Sequence, residues 1–495
     1  MKTLPAMFLE VVRTYSDRPA LIDGGRTITY RELGERVGQI AAHLSSIGVI
    51  RGERVALLLA NGPEFVETYL GIAAVGGVIV PLNVHYQENE LLYFIESSGV
   101  SVLVTVNEHA ALCRRVLSAM VPSPRLVLST ELRPEAASVP AELPLEITLS
   151  PDAPLMYQFS SGSTGRPKKI ARTHRNVMIE LDNLITTFAF TPADRFLGAA
   201  PFSHVNGLMR TLLVCIRAGG CLYPVPKFER RAVADLIERE AITVFIAVPF
   251  MFIMLSKGMP AGKARDFSSI RWCVSASAPM PRHQNALFHE RFGFHVRQLY
   301  GSTETGTISI NLDADVGTTL ESVGPPLPGI EIAIFEEDGQ PVSIGEMGEI
   351  AVKSASAIRG YEDLDDLNRE VFRDGYFFTG DMGRMDNRGH VYLMGRKKLF
   401  INKGGYKISP IELQTLLEDH PKVEEAVVIG VPTQYGDENV KAFIVPSEPC
   451  DAIEIIEYCR GRIADFKIPS QIEFRDVLPK SPAGKVRMQL LTDES

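Results

Sequence analysis

The sequence has no excess of positive charge: 51 Lys and Arg stand against 60 Asp and Glu, a formal net charge of −9. That argues against nucleic acid as the main partner, because a phosphate backbone needs a basic face. Long hydrophobic runs are also missing. The most apolar stretch, "LGIAAVGGVIVPL" over residues 70–82, is too short to span a bilayer and carries Gly and Pro. It reads as a helix end feeding a buried strand. The opening "MKTLPAMFLEVV" has one Lys and no sustained apolar segment, unlike a secretory signal. Cysteine is sparse. Cys113, Cys215, Cys221, Cys273, Cys450 and Cys459 form no Cys-x-x-Cys pair and have no His at metal spacing, so reduced core thiols in a cytoplasmic protein are expected. No internal repeat, low-complexity tract or Gly-x-Ser-x-Gly elbow is present.

What is present is the texture of a large α/β protein. At 495 residues, 45% of them hydrophobic, the chain is too long for one core, since domains of roughly 100–200 residues are usual. "RVALLLAN", "VIVPLN", "AITVFIAVP" and "SIRWCVSAS" are continuous apolar runs divided by helical stretches such as "GPEFVETYLGIAAVG". Such runs predict strands covered on both faces, hence α/β layers. From about Gly324 the pattern changes to period two, with turns at "EDGQ" and "GEMG", which predicts antiparallel β. The last hundred residues predict a small α+β domain: helices "SPIELQTLLEDH" and "AIEIIEYCRGRIADF", strands "VEEAVVIGVP" and "VKAFIVP", and a basic tail. The Pro-rich stretch 121–144 predicts a surface excursion.

One stretch carries chemistry by itself. "YQFSSGSTGRPKKI", residues 157–170, places Ser160, Ser161, Gly162, Ser163, Thr164, Gly165 and Lys168 after an apolar run and before a predicted helix. A Gly/Ser linker is the plain alternative. The context predicts a strand–loop–helix junction, where backbone amides and hydroxyls converge on an anion. It is not a Walker A loop, because the Gly-Lys-Ser/Thr ending is absent.

The loop "SSGSTGRPK" resembles the S/T-S/T-G-S/T-T-G-x-P-K signature of the adenylate-forming (AMP-binding) superfamily, in its acyl-CoA synthetase or carboxylate–CoA ligase branch. Further matches follow in order along essentially the whole chain: "PFSHVNG", "SASAPM", "YGSTE", "GYFFTGD", "GRKKLFINKGGYKISPIE" and "LPKSPAGKVRM". The resemblance implies a large N-terminal domain over 1–395, of layered α/β subdomains plus a small β-barrel-like subdomain, holding the ATP and acyl sites. It implies a small mobile α+β domain over 396–495 that carries the catalytic lysine.

The resemblance also implies residue roles. Tyr300, with Gly301 and Ser302, stacks on adenine; Thr303 binds the α-phosphate; Glu304 is the Mg²⁺ ligand. Asp381 and Arg396 hold the ribose. His204, Val205, Asn206, Gly207, Ser275, Ala276, Ser277 and Leu299 wall the acyl pocket, with His204 as its gate. Lys398 is the hinge. Lys403, Gly404, Gly405 and Tyr406 form the loop on the CoA side. Lys485 contacts the carboxylate and α-phosphate during adenylation, and "PKSPAGK" resembles a site at which such a lysine is acetylated. The sequence departs from the family pattern at Lys169, Leu399, Asn402, Ser481 and Met488, and nothing in the sequence assigns Lys169 a role.

The expected reaction joins a carboxylic acid to a thiol in two steps. ATP and Mg²⁺ convert the acid to acyl-AMP with loss of pyrophosphate; CoA then takes the acyl group. "PFSHVNG" lacks the Asp that holds an α-ammonium, so amino acids are disfavoured. Leu299 before Tyr300 disfavours a second carboxylate; Arg210 and Arg297 are the residues that could reverse this. An apolar monocarboxylate, fatty or aryl, is expected. An acyl carrier protein is the alternative acceptor, since no carrier domain is fused and the chain ends eleven residues after Gly484. A catalytically silent acyl-binding relative is the alternative to an enzyme. A monomer or homodimer is expected.

Overall fold

The computed structural model describes residues 2–132, 149–160, 167–257, 265–403, 406–433, 437–480 and 486–492. Two sheets dominate the first three hundred residues. In the first, parallel strands run in the spatial order Arg125–Leu128, Val102–Thr105, Arg54–Leu58, Val78–Pro81, Pro154–Ser160, and an antiparallel strand Lys168–Thr173 closes the edge. The inner strands are buried along their length, which is why "RVALLLAN" and "VIVPLN" read as unbroken apolar runs. The helix between them, Pro63–Ala74, is buried on nearly every side.

The second sheet has eight strands. Its parallel centre holds Arg297–Ser302, Trp272–Ser275, Val244–Ala247, Arg195–Gly198 and Cys221–Pro224. Antiparallel Gly306–Ile310 caps one edge and the hairpin Pro19–Asp23/Arg26–Thr29 the other. The period-two region forms a third sheet, antiparallel throughout, from Ile330–Phe335, Gly348–Ser354, Tyr376–Met385, Phe372–Arg373 and Val391–Arg396.

The remaining described chain builds a separate small unit. A hairpin, Ile401–Lys403 with Tyr406–Ile408, precedes the helix Pro410–Glu418, whose N-cap Ser409 accepts from the Glu412 amide. Strands Val423–Pro432 and Glu438–Pro446 pair antiparallel, and Gln471–Phe474 adds in parallel. Its core runs through Ile401, Leu413, Val428, Ala442 and Cys459, whereas the cores of the larger part end at Val391. All six cysteines are free thiols.

Three local expectations are corrected. The glycine loop does not lead directly into a helix. Lys168–Thr173 returns along Pro154–Ser160, with Lys168 opposite Ser160, and the helix begins only at His174 under a Thr173–Asn176 capping box. The alternation of buried and half-buried residues across Lys168–Thr173 is a strand pattern. The helix predicted through Phe466 ends at Cys459, because Gly461 lies at φ +72°. Within the Pro-rich stretch, Arg125–Leu128 is an edge strand; residues 133–144 lie outside the described ones.

Candidate active site

The site lies where the three sheets meet. Tyr300, on a central strand of the second sheet, is buried and donates its hydroxyl to Asp381 Oδ2 at 2.6 Å. Asp381 stands on a strand of the third sheet, and Arg396, its register partner on the next strand, places Nε 2.7 Å from Asp381 Oδ1. Arg396 also donates to the Thr379 carbonyl at 3.2 Å. Burial, then the neighbouring Asp381 carboxylate, pushes the Tyr300 phenol far above its usual value, so it stays a neutral donor. A flat buried ring thus sits beside a carboxylate–guanidinium pair at the rim, an arrangement that can stack a base and hold a diol.

Four residues on, Glu304 is buried and accepts the Tyr361 hydroxyl at 2.9 Å. Lys168 Nζ lies 5.1 Å from the centre of the Tyr361 ring. Burial lowers the Lys168 ammonium's pKa against the opposing pull of Glu304, with Lys398 and Arg396 adding repulsion. Lys168, Glu304, Lys398 and Arg396 therefore share one electrostatic neighbourhood. Thr303, Gly301 and Ser302 are half-buried on the same turn, where Ser302 Oγ lies 3.0 Å from Thr305 Oγ1. Tyr361 escaped the sequence reading, since a lone Tyr 57 residues away gives no local signal.

Lys169, which no sequence pattern assigned, is a structural pin. Its Nζ pairs with Glu362 at 2.8 Å and lies 4.9 Å from the Tyr157 ring centre, while Tyr157 donates to Glu362 at 3.3 Å. It ties the base of the glycine hairpin to the segment that carries Tyr361.

Of the residues expected to wall the acyl pocket, Ser275 stands opposite Gln298, on the strand beside that of Leu299 and Tyr300. His204 caps a short helical turn and its Nε2 lies 3.2 Å from Asn83 Nδ2. Asn206 is buried and donates to the Ala247 carbonyl at 3.2 Å. Gly207 must be glycine, because a Cβ there would meet the carbonyl oxygens of Ala200 and Pro201 at 2.4 Å. Val205 is half-buried; Ser275, Ala276 and Leu299 are buried. Ser277 is exposed and holds φ +77°, a conformation that favours glycine. A π-helical turn, Leu208–Leu213, follows Gly207 directly.

Arg172, Glu180, Thr307 and Arg210 form a buried charge cluster. Arg172 and Glu180 pair at 2.8 Å with side chains 0% and 1% exposed. Glu180 Oε1 accepts from the Thr307 amide at 2.9 Å and hydroxyl at 2.8 Å, and Thr307 Oγ1 in turn accepts from Arg210 Nε at 2.9 Å. Burial alone would raise the Glu180 pKa; Arg172 and Arg210 overcome it and hold the carboxyl below its ordinary value.

On the small unit, Lys398 is exposed on a one-turn helix between Arg396 and Phe400. Lys403 pairs with Tyr406, whose exposed ring stacks on Phe466 at 4.3 Å. Lys480 and Val486 form an isolated antiparallel bridge, and Lys480 Nζ lies 5.5 Å from the Phe250 ring centre. Lys257 and Glu424, at 2.7 Å, join the same two units. Ser160 is half-buried opposite Lys168. The predicted residues Ser161, Gly162, Ser163, Thr164, Gly165, Gly404, Gly405 and Lys485 lie outside the described ones.

Residues 8–362 match the AMP-binding enzyme family, and residues 412–485 match the AMP-binding enzyme C-terminal domain. The chain is an AMP-binding enzyme. It is similar to a long-chain-fatty-acid–CoA ligase of Bacillus subtilis (strain 168), 30% identical over all of this chain and 95% of that one. A feruloyl-CoA synthase of Amycolatopsis sp is 33% identical over 94% of each chain. Among solved structures, ATP-bound MatB from Rhodopseudomonas palustris superposes with a TM-score of 0.91 at 28% identity, covering 99% of this chain and 98% of that one. This enzyme is therefore an AMP-forming acid–CoA ligase, using ATP and CoA, with the large-domain and C-terminal-domain architecture of its family. Among the described residues no helix is long and apolar enough to cross a membrane.

Proposed function

We propose that the ligase activates an alkyl or aryl carboxylic acid with an apolar body as its acyl-AMP and passes the acyl group to CoA. The observation that carries this reading is the Tyr300–Asp381–Arg396 clamp set beside Glu304, Tyr361 and Lys168. A nucleoside held by the first group presents its phosphates to the second. We read residues 1–395 and 396–495 as the two domains, with Lys398 as hinge; the separation of the hydrophobic cores supports this.

Among the described residues no group of three or more His, Cys, Asp or Glu could hold a metal by itself. Glu304 is then a lone carboxylate beside the phosphate position, which fits Mg²⁺, an ion that takes one or two carboxylates with phosphate and water oxygens. When bound, Mg²⁺ supplies positive charge to the phosphate oxygens. The Tyr361 hydroxyl fixes one oxygen of Glu304, and the other has no hydrogen-bond partner among the described residues, which suits a ligand. Lys168 adds a cation to this cluster, and Lys485 approaches the reacting carboxylate from the small domain. Adenylation brings two anions together, so this chain's work is positioning and charge neutralisation. His204, oriented by Asn83, stands at the mouth of the acyl wall. In the second step the small domain turns about Lys398, withdrawing Lys485 and presenting Lys403 and Tyr406 to the thiol. Free thiols and the use of ATP and CoA support a cytoplasmic setting.

Carboxylate-dependent exchange of pyrophosphate into ATP tests the first step, and thioester formation with CoA, or with a holo acyl carrier protein in its place, tests the second. Lys485→Ala is expected to abolish exchange yet allow supplied acyl-AMP to react with thiol. Equal loss of both steps would remove the assignment of Lys485, and no exchange with any acid would remove the ligase reading.

A further inference from the structure

The buried Arg172–Glu180–Arg210 cluster is not balanced. Arg172 and Arg210 bring two positive charges and Glu180 one negative, and the side chains are all but inaccessible. Two guanidinium atoms, Arg172 Nε and Arg210 Nη2, are buried and have no hydrogen-bond partner among the described residues. An unmet charged donor in the interior is costly, and native structures keep few of them.

The position of Arg210 Nη2 says what could meet it. Arg210 follows the acyl-wall segment His204–Gly207 on the π-helical turn. A Cβ at Gly301 would meet Arg210 Nη2 and the Gly306 carbonyl oxygen at 2.4 Å each, so the guanidinium packs against the backbone directly after Tyr300. Two more acyl-wall atoms, Asn206 Oδ1 and Ser275 Oγ, are likewise buried without partners among the described residues. They share one neighbourhood, since Asn206 donates to the Ala247 carbonyl and Ser275 is the register partner of Ala247. Arg297, the other candidate cation, is spent elsewhere: it donates to the carbonyls of Asn311 and Asp313 and lies over Trp272. Burial brings the Arg210 pKa down to about 10, which leaves it a cation at neutral pH.

We propose that Arg210 is a specificity residue whose Nη2 donates to a second acceptor oxygen on the acid, so the preferred substrate carries an oxygen group in addition to its reacting carboxylate. This rests on the ligase reading and narrows it. The apolar body of the acid is retained, and the excess positive charge favours an anionic oxygen over a neutral one. A site built to meet an oxygen group penalises the analogue lacking it far more than an apolar pocket penalises a missing methylene.

The test is pyrophosphate exchange by the full-length protein over matched acids: hexanoate against adipate and the hydroxyhexanoates, and benzoate against the phthalates and hydroxybenzoates. At least one oxygen-bearing acid should exceed its parent in kcat/KM by about tenfold or more, mainly through KM. Arg210→Met should cut that ratio by about tenfold or more, and Arg210→Lys should recover part of it for dianions. A dianion in the lead and a hydroxy acid in the lead both sustain the proposal and separate the two oxygen sources. Parent acids preferred by the unmodified protein, or an unchanged ratio in a folded Arg210→Met, would overturn it while leaving the ligase intact. If near-UV circular dichroism shows that Arg210→Met does not fold, the ratios of the unmodified protein and of Arg210→Lys decide. Absence of exchange with every acid would overturn both readings together.

Discussion

Two arginine–carboxylate pairs, Arg172–Glu180 at 2.8 Å and Arg396–Asp381 at 2.7 Å, are alike in length and opposite in setting. The first is sealed, with 0% and 1% of its side chains exposed; in the second, Arg396 is 52% exposed. A sealed pair cannot change partners without leaving a charge in the interior. A rim pair can open, because water compensates whichever group is released. The sealed pair fixes the frame, and the rim pair is available to a ligand.

The widest separation between the two is expected in stability. Glu180→Gln should lower the unfolding free energy by about 3–5 kcal/mol, since it strands Arg172 in the interior; chemical denaturation measures this, and a loss comparable to that of a surface pair would erase the contrast. Acid should act next. His174 is buried, accepts from the Leu4 amide, and burial lowers its pKa from 6.5 to about 4. It folds neutral, so its contribution is present above pH 6.5 and is lost as pH falls toward 4. Roughly 3 kcal/mol should disappear across that window, and His174→Gln should flatten the stability–pH curve there.

Asp381→Asn should leave stability within about 1 kcal/mol and raise the KM for ATP by about 10–100-fold, the worth of a charge-assisted hydrogen bond of roughly 1.5–3 kcal/mol. Equal damage to folding and binding would make the rim pair structural. Tyr361→Phe should cost about 0.5–1.5 kcal/mol, read as a higher Mg²⁺ requirement in exchange. Lys169→Ala should be smallest, under about 1 kcal/mol of stability, because its partner Glu362 is 38% exposed.

These regions also differ in how far the sequence disclosed them. The strands and the antiparallel region were legible because burial on two faces or one imprints a run or an alternation. Tyr300, Glu304, Asp381 and Arg396 stood out through short ordered motifs, and the structure brings them into one neighbourhood. The strand Lys168–Thr173 was hidden, because "KKIART" lacks a strong apolar alternation and its strand character comes from pairing with Pro154–Ser160. Tyr361 and the Arg172–Glu180–Thr307–Arg210 chain were illegible for another reason: their members are far apart in sequence, and only packing unites them.

The junction at Lys398 has a mechanical consequence. Lys397 is paired with Glu349 of the third sheet at 2.8 Å, and Phe400 is buried against Gly395 and beside Ile401 of the small core. Only Lys398 and Leu399 stand free between these anchors, both exposed. A connection two residues long is an axle rather than a tether. With Lys398 as the proposed hinge, the small domain would travel an arc of nearly fixed radius, so each of its two proposed working faces would meet the same centre at an effective concentration set by that arc, and neither would arrive while the other is in place.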